Sequence, residues 1–110
     1  MYLVAIGSLR PLPGGRVLLV SLLSLLSLVQ ARLTRGCASA RVFEADGRFL
    51  SMTVWTSPAA MKRFARTGPH RLAMNLADRI AETDRFVYFQ TPVPPTMAEG
   101  RDRWRSMRPA

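Results

Sequence analysis

Apolar and polar positions along the chain follow two periods, two and 3.6 residues, in alternating blocks. Tyr2–Leu9 alternates weakly and includes the β-branched Val4 and Ile6, which predicts a strand. Pro11, Pro13, Gly14 and Gly15 end it. Val17–Leu33 then carries leucine or valine at most positions, with Ser21, Ser24 and Ser27 three apart. On a helix that spacing makes a slowly drifting polar stripe on an otherwise apolar cylinder. Such a helix is expected to be largely buried or to face another apolar surface. Gln30, Arg32 and Arg35 close it with cations at the negative end of its dipole, and Gly36 is its stop.

Ala38–Glu44 and Phe49–Thr56 read as strands joined by Ala45-Asp46-Gly47-Arg48, where Asp-Gly is a strong hairpin signal. On the second strand Leu50, Met52 and Val54 share one face, and Ser51, Thr53 and Trp55 the other. Ser57-Pro58 opens a helix whose apolar stripe is Met61, Phe64 and Ala65. Gly68-Pro69 breaks it. Pro69 starts a second helical piece to about Ala81, with Leu72, Ala73, Leu76, Ala77 and Ile80 as its buried stripe. Phe86–Gln90 is the last strand, ended by Thr91-Pro92.

The order βαββαβ predicts an α+β, ferredoxin-like sandwich: an antiparallel four-stranded sheet with the helices on one face. It occupies 1–91 as one domain, and 92–110 is a Pro-rich, Arg-rich tail expected to be disordered. The sheet face opposite the helices, with Ser51, Thr53 and Trp55 or their alternates, is expected to be bare. A second copy packing sheet on sheet would cover it, giving a homodimer.

Composition narrows the chemistry. In 110 residues, 48% of them hydrophobic, there is room for one globular domain. The single Cys37 excludes an intramolecular disulfide and a multi-cysteine zinc site; the single His70 excludes multi-histidine metal sites, so no metal is expected. Sixteen basic against seven acidic residues give a net charge of +9, which brings nucleic acid, anionic membrane and anionic ligands into view. Fifteen of those cations are arginines and they are dispersed; the densest run, Arg101, Arg103, Arg105 and Arg108, lies in the tail. No basic run carries interleaved aromatics, so nucleic-acid binding is not expected. The uninterrupted run Val17–Val29 would be about 20 Å long as a helix, short of the roughly 30 Å of hydrocarbon. By length, with Arg10 and Arg16 before it, the run also matches a signal h-region, but cleavage there would delete the first strand. A cytoplasmic protein is expected, with membrane attachment through this helix and the tail as an alternative.

The stretch from Thr53 to Met74, TVWTSPAAMKRFARTGPHRLAM, resembles the dimeric α+β barrel superfamily: a Trp ending the third strand, a polar helix start, an apolar-x-x-Phe pair, a Gly-x-His turn and a second helical piece. It is most similar to small bacterial proteins described as spheroidene monooxygenase-like or antibiotic-biosynthesis-monooxygenase-like, over residues 2–90 with the flanking strands. The resemblance implies a homodimer and a pocket between sheet and helices in each subunit. It covers cofactor-independent oxygenases, heme-dependent and heme-degrading enzymes, and members without known activity, so it does not fix function. No cofactor, or heme, are both consistent with it.

His70 is the first candidate for chemistry, in the first helical turn after Pro69, where the helix dipole disfavours imidazolium and leaves a neutral ring able to act as base or to ligate iron. Packing the helix break is the plain structural alternative. Met74 stands one turn on, where the heme-degrading relatives place their ligating His. Trp55, Met61, Phe64, Leu72 and Met74 are the candidate substrate-binding residues, with plain core as the alternative for each. Arg71, with Arg63 and Arg66 nearby, is a candidate for the carboxylates of a porphyrin-like ligand, or simply solvated. Ser51 and Tyr88 are candidate donors, and Cys37 reads as a small buried apolar residue. No P-loop, dinucleotide fingerprint, HExxH or GxSxG is present. The leading expectation is a monooxygenase-like oxidoreductase acting on a hydrophobic or aromatic small molecule. A ligand-binding or dimerisation module of the same fold is the alternative.

Overall fold

A computed structural model describes residues 1–84 and 86–107. Its elements are β1 (Tyr2–Pro11), α1 (Arg16–Leu33), β2 (Cys37–Ala45), β3 (Arg48–Trp55), α2 (Pro58–Ala65), α3 (Gly68–Ile80), β4 (Ala81–Thr83), β5 (Val87–Thr91) and α4 (Met97–Met107). β1 is the central strand. It pairs antiparallel with β3 on one side, and with β4 and β5 in succession on the other; β2 pairs with β3 at the edge. The result is the expected ferredoxin-like order, with the last strand split in two. β4 pairs Ala81–Thr83 with Leu9–Pro11, and β5 resumes against Tyr2–Ile6. The β2–β3 hairpin turns through Asp46 (φ 53°) and Gly47 (φ 75°), both left-handed as its two-residue turn demands.

Of the two faces left open from sequence, the helices lie on that of Ser51, Thr53 and Trp55. Trp55 is fully buried among Ala31, Ala40, Ala60 and Phe64, beneath α1 and α2. α1 crosses this face through Val20 and Leu23, which meet Ile80 and Ala81, and through Ala31. The opposite face, with Val4 and Ile6 of β1 and Leu50, Met52 and Val54 of β3, is also closed. Here the correction concerns residues 92–110. Instead of a disordered tail, 97–107 form α4, whose Trp104 is fully buried against those five side chains. Arg108 of the basic run lies outside the described residues.

α4 exists for local reasons. Thr96 and Glu99 form a reciprocal capping box: the Glu99 N–H donates to Thr96 Oγ1 (3.1 Å), and the Thr96 N–H donates to Glu99 Oε1 (3.0 Å). Gly100 lets the helix axis approach the sheet, since a Cβ there would collide with Met52 Sδ. Arg105 clasps Asp46 in the hairpin with two bonds of 3.0 and 2.8 Å, and the Arg103 guanidinium lies 4.3 Å from the Phe89 ring centroid. Neither sheet face is bare in the monomer, so the reason given by the sequence for sheet-on-sheet pairing is absent.

α1 departs from expectation in the other direction. It is not largely buried: Val20, Leu23 and Ala31 are its buried residues, while Leu18, Leu22, Leu25, Leu26, Val29 and Leu33 are exposed. The serine stripe points partly inward, with Ser24 and Ser27 half-buried over the sheet.

Because Trp104 fills the centre of the core on the α4 side, Trp104→Ala is expected to cost about 3–5 kcal/mol of unfolding free energy. Urea denaturation followed by circular dichroism measures it. A loss below about 1 kcal/mol would mean that α4 is not part of the folded unit.

Candidate functional site

Between the helix layer and the sheet lies a cavity of about 120 Å³. Its floor is Gly7 of β1 with Ser51 and Thr53 of β3. Ser24, Ser27, Leu28 and Ala31 of α1 roof it, and Phe64, His70, Ala73 and Met74 close the side beneath α2 and α3. Asp84 and Phe86, from the link between β4 and β5, complete it. A groove of about 230 Å³ continues outward between α1 and β2, sharing Ser24, Leu28, Val42 and Phe49 with the cavity. Gly7 lets the Phe86 ring lie close over the strand: a Cβ there would stand 2.7 Å from the ring, which would have to shift.

The helix break positions His70. Gln30 of α1 replaces the hydrogen bonds that the break leaves open: its Nε2 donates to the carbonyls of Thr67 (2.7 Å) and Phe64 (3.2 Å), and its Oε1 accepts from the His70 N–H (2.8 Å). The imidazole is then fixed by two neighbours. Its ring centroid lies 4.4 Å from that of Phe64, which in turn lies 5.2 Å from that of Trp55. Its Nδ1 lies 3.2 Å from the Ala65 carbonyl oxygen. A carbonyl only accepts, so Nδ1 carries the proton and the neutral ring keeps its lone pair on Nε2. Burial pushes the pKa of His70 below its usual value, opposed by the Ala65 bond.

The remaining candidates divide. Phe64 and Met74 line the cavity with His70, and so does Ser51. Trp55 does not; it sits behind Phe64 in the core. Met61 is half-buried in the same cluster. Leu72 and Arg71 are exposed on the outer side of α3, and Arg63 and Arg66 are exposed as well, so none of them lines the cavity. Tyr88 is exposed beside Phe86. Cys37 is half-buried, its thiol donating to the Ser39 carbonyl (3.4 Å), and burial raises its pKa. That leaves it a poor nucleophile.

Sequence reasoning missed the polar end of the cavity. Asp84 is tied to β1: Ser8 Oγ donates to Asp84 Oδ2 (2.8 Å), the Asp84 N–H donates to the Ser8 carbonyl (3.1 Å), and Arg48 Nε lies 3.4 Å from the same carboxylate. Ser8 and Asp84 are 76 positions apart, so only the β1–β4 pairing brings them together. Ser27 Oγ is buried on the cavity roof with no hydrogen-bond partner. A buried hydroxyl of this kind is available to a ligand. Among the described residues no cluster of His, Cys, Asp or Glu is able to hold a metal ion.

The carboxylate partner expected for a heme is not at the cavity: Arg71 is on the outer surface.

No protein-family model matches the sequence, and no curated protein matches it. Solved structures do. Rv0793 from Mycobacterium tuberculosis superposes with a TM-score of 0.73 at 15% identity, covering 87% of this chain and all of that one. An antibiotic biosynthesis monooxygenase gives 0.69 at 20% identity, over 84% of this chain and 99% of the other. SnoaB, a cofactor-independent oxygenase from Streptomyces nogalater, gives 0.67 at 9% identity, over 84% and 95%. Likeness at these identities speaks for architecture: the chain shares the ferredoxin-like α+β fold of these structures.

Proposed function

We propose that the protein is a monooxygenase-like enzyme that binds a hydrophobic or aromatic small molecule in this cavity and uses His70 as its base. The observation that carries the reading is the Nδ1–Ala65 bond, which leaves an unprotonated Nε2 on a ring lining a largely apolar cavity. Leu28, Ala31 and Phe64 supply flat apolar walls that exclude water. Ser27 offers an unused hydroxyl to orient a phenol or carbonyl. The neighbour described as a cofactor-independent oxygenase supports a reaction in which the substrate itself is the reductant. In such a reaction Nε2 takes a proton from an activated methylene, and the electron pair stays on the substrate carbon. O2 adds there, and the hydroperoxide formed on reprotonation loses water. The balance is a CH2 and O2 in, a C=O and H2O out, with no external electron donor.

His70 does the proton transfer, and Gln30 and Phe64 hold it in place. Asp84, already bonded to Ser8, marks the polar end of the site. Association of two copies through their sheets, as the resemblance implies, would require α4 to leave Leu50, Met52 and Val54.

Oxygen uptake with an anthrone, a flat aromatic bearing an acidic methylene, tests the reaction. His70→Ala is expected to lower kcat/KM by about 10²–10⁴-fold, and an unchanged rate would remove His70 as the base. Binding without oxygen uptake would leave a ligand-binding module.

The lowered His70 pKa has a second consequence. Between that pKa and about 6.5, the unfolded chain binds a proton that the native state does not. Stability is therefore full above the unfolded value and falls as pH drops through this window. Urea midpoints measured on both sides of it should separate for the wild type and converge for His70→Asn. An imidazole that titrates by NMR above the unfolded value would contradict the burial argument.

A further inference from the structure

We propose that the outer face of α1 docks on an anionic lipid surface, with the helix lying in the plane of the membrane. Leu18, Leu22, Leu25, Leu26, Val29 and Leu33 recur at helical spacing and are exposed, Leu18 at 79% and Leu33 at 81%. Such a contiguous apolar stripe is unusual on a soluble surface and marks an interaction site. α1 is 18 residues long with a mean hydropathy of 1.7, but Val20, Leu23 and Ala31 tie it into the core. Crossing a bilayer would tear those contacts out, whereas lying on one leaves them intact.

Charge selects lipid over a second copy of the chain. Segments 16–35 and 58–80, which contain α1–α3, carry Arg16, Arg32, Arg35, Lys62, Arg63, Arg66, Arg71 and Arg79 against the single acid Asp78. All nine are exposed. These segments therefore hold +7 of the net +9, and α1 itself contains no acidic residue. A two-fold interface centred on α1 would bring two helix layers of this net positive charge together. An anionic membrane instead satisfies both features, taking leucines into the acyl boundary and arginines among its head groups.

The proposal is independent of the chemistry assigned to the cavity. Flotation of the full chain should show at least about tenfold tighter binding to mixed phosphatidylcholine–phosphatidylglycerol vesicles than to phosphatidylcholine alone at low salt. About 1 M salt should erase the difference. The pair Leu22→Ser and Leu25→Ser should abolish binding while keeping the near-ultraviolet signal of the two buried tryptophans. Leu22→Trp should show a blue-shifted emission with the anionic vesicles. A protein that stays in the soluble fraction with those vesicles overturns the proposal. So does a wild-type dimer, seen by light scattering, that the serine pair dissolves without any vesicle binding, which would give the face to a second copy.

Discussion

The fold depends on β1 being buried on both faces. Its even positions, Val4 and Ile6, feed the core under α4, and its odd positions, Leu3, Ala5 and Leu9, feed the side under the other helices. A strand with two buried faces cannot slip by one residue, because the shift would exchange every contact in both layers. Its register against β3 and β5 is thereby fixed, and with it the placement of Trp55, Phe89 and the β4 segment. The two cores are not equivalent. The α4 side is filled by Trp104 and closely packed aliphatics; the other side is left incomplete, and that incompleteness is the cavity.

Incomplete filling explains the inverted α1. The side of α1 that roofs the cavity carries small, partly polar residues, Ser24, Ser27 and Ala31. Its bulky leucines then have nowhere to go but outward. The same composition that looked like a buried helix thus produces a polar roof inside and an apolar stripe outside. The rule that apolar residues point inward fails where the interior keeps a cavity instead of side chains.

Strand order, the Asp46-Gly47 hairpin and the Gly68-Pro69 break were legible because local chemistry and periodicity agree there. Which face the helices cover was not: alternation on β3 shows that Leu50, Met52 and Val54 share a side, without saying what lies over it. β4 has three residues, too few for any period. α4 was obscured by Pro92, Pro94, Pro95 and the arginines, though Thr96-Met97-Ala98-Glu99 spells its capping box and Trp104 its anchor. In the cavity, His70, Phe64 and Met74 were readable from their shared segment. Asp84, Ser8 and Ser27 were not, since strand pairing and helix rotation alone bring them to it.

His70 shows how the layers combine. Its neutrality needs burial, burial needs the Phe64 ring, and Phe64 is held by Trp55 at the end of β3. Its tautomer needs the Ala65 carbonyl, which is free only because Gly68-Pro69 interrupts the helix there. The interruption in turn survives because Gln30 of α1 bonds both of its edges. One residue on the roof helix thus fixes the proton position on a ring two elements away, and Trp55, outside the cavity, acts on it only through Phe64. The ring is thus fixed by its supports more than by the residues that line the cavity with it.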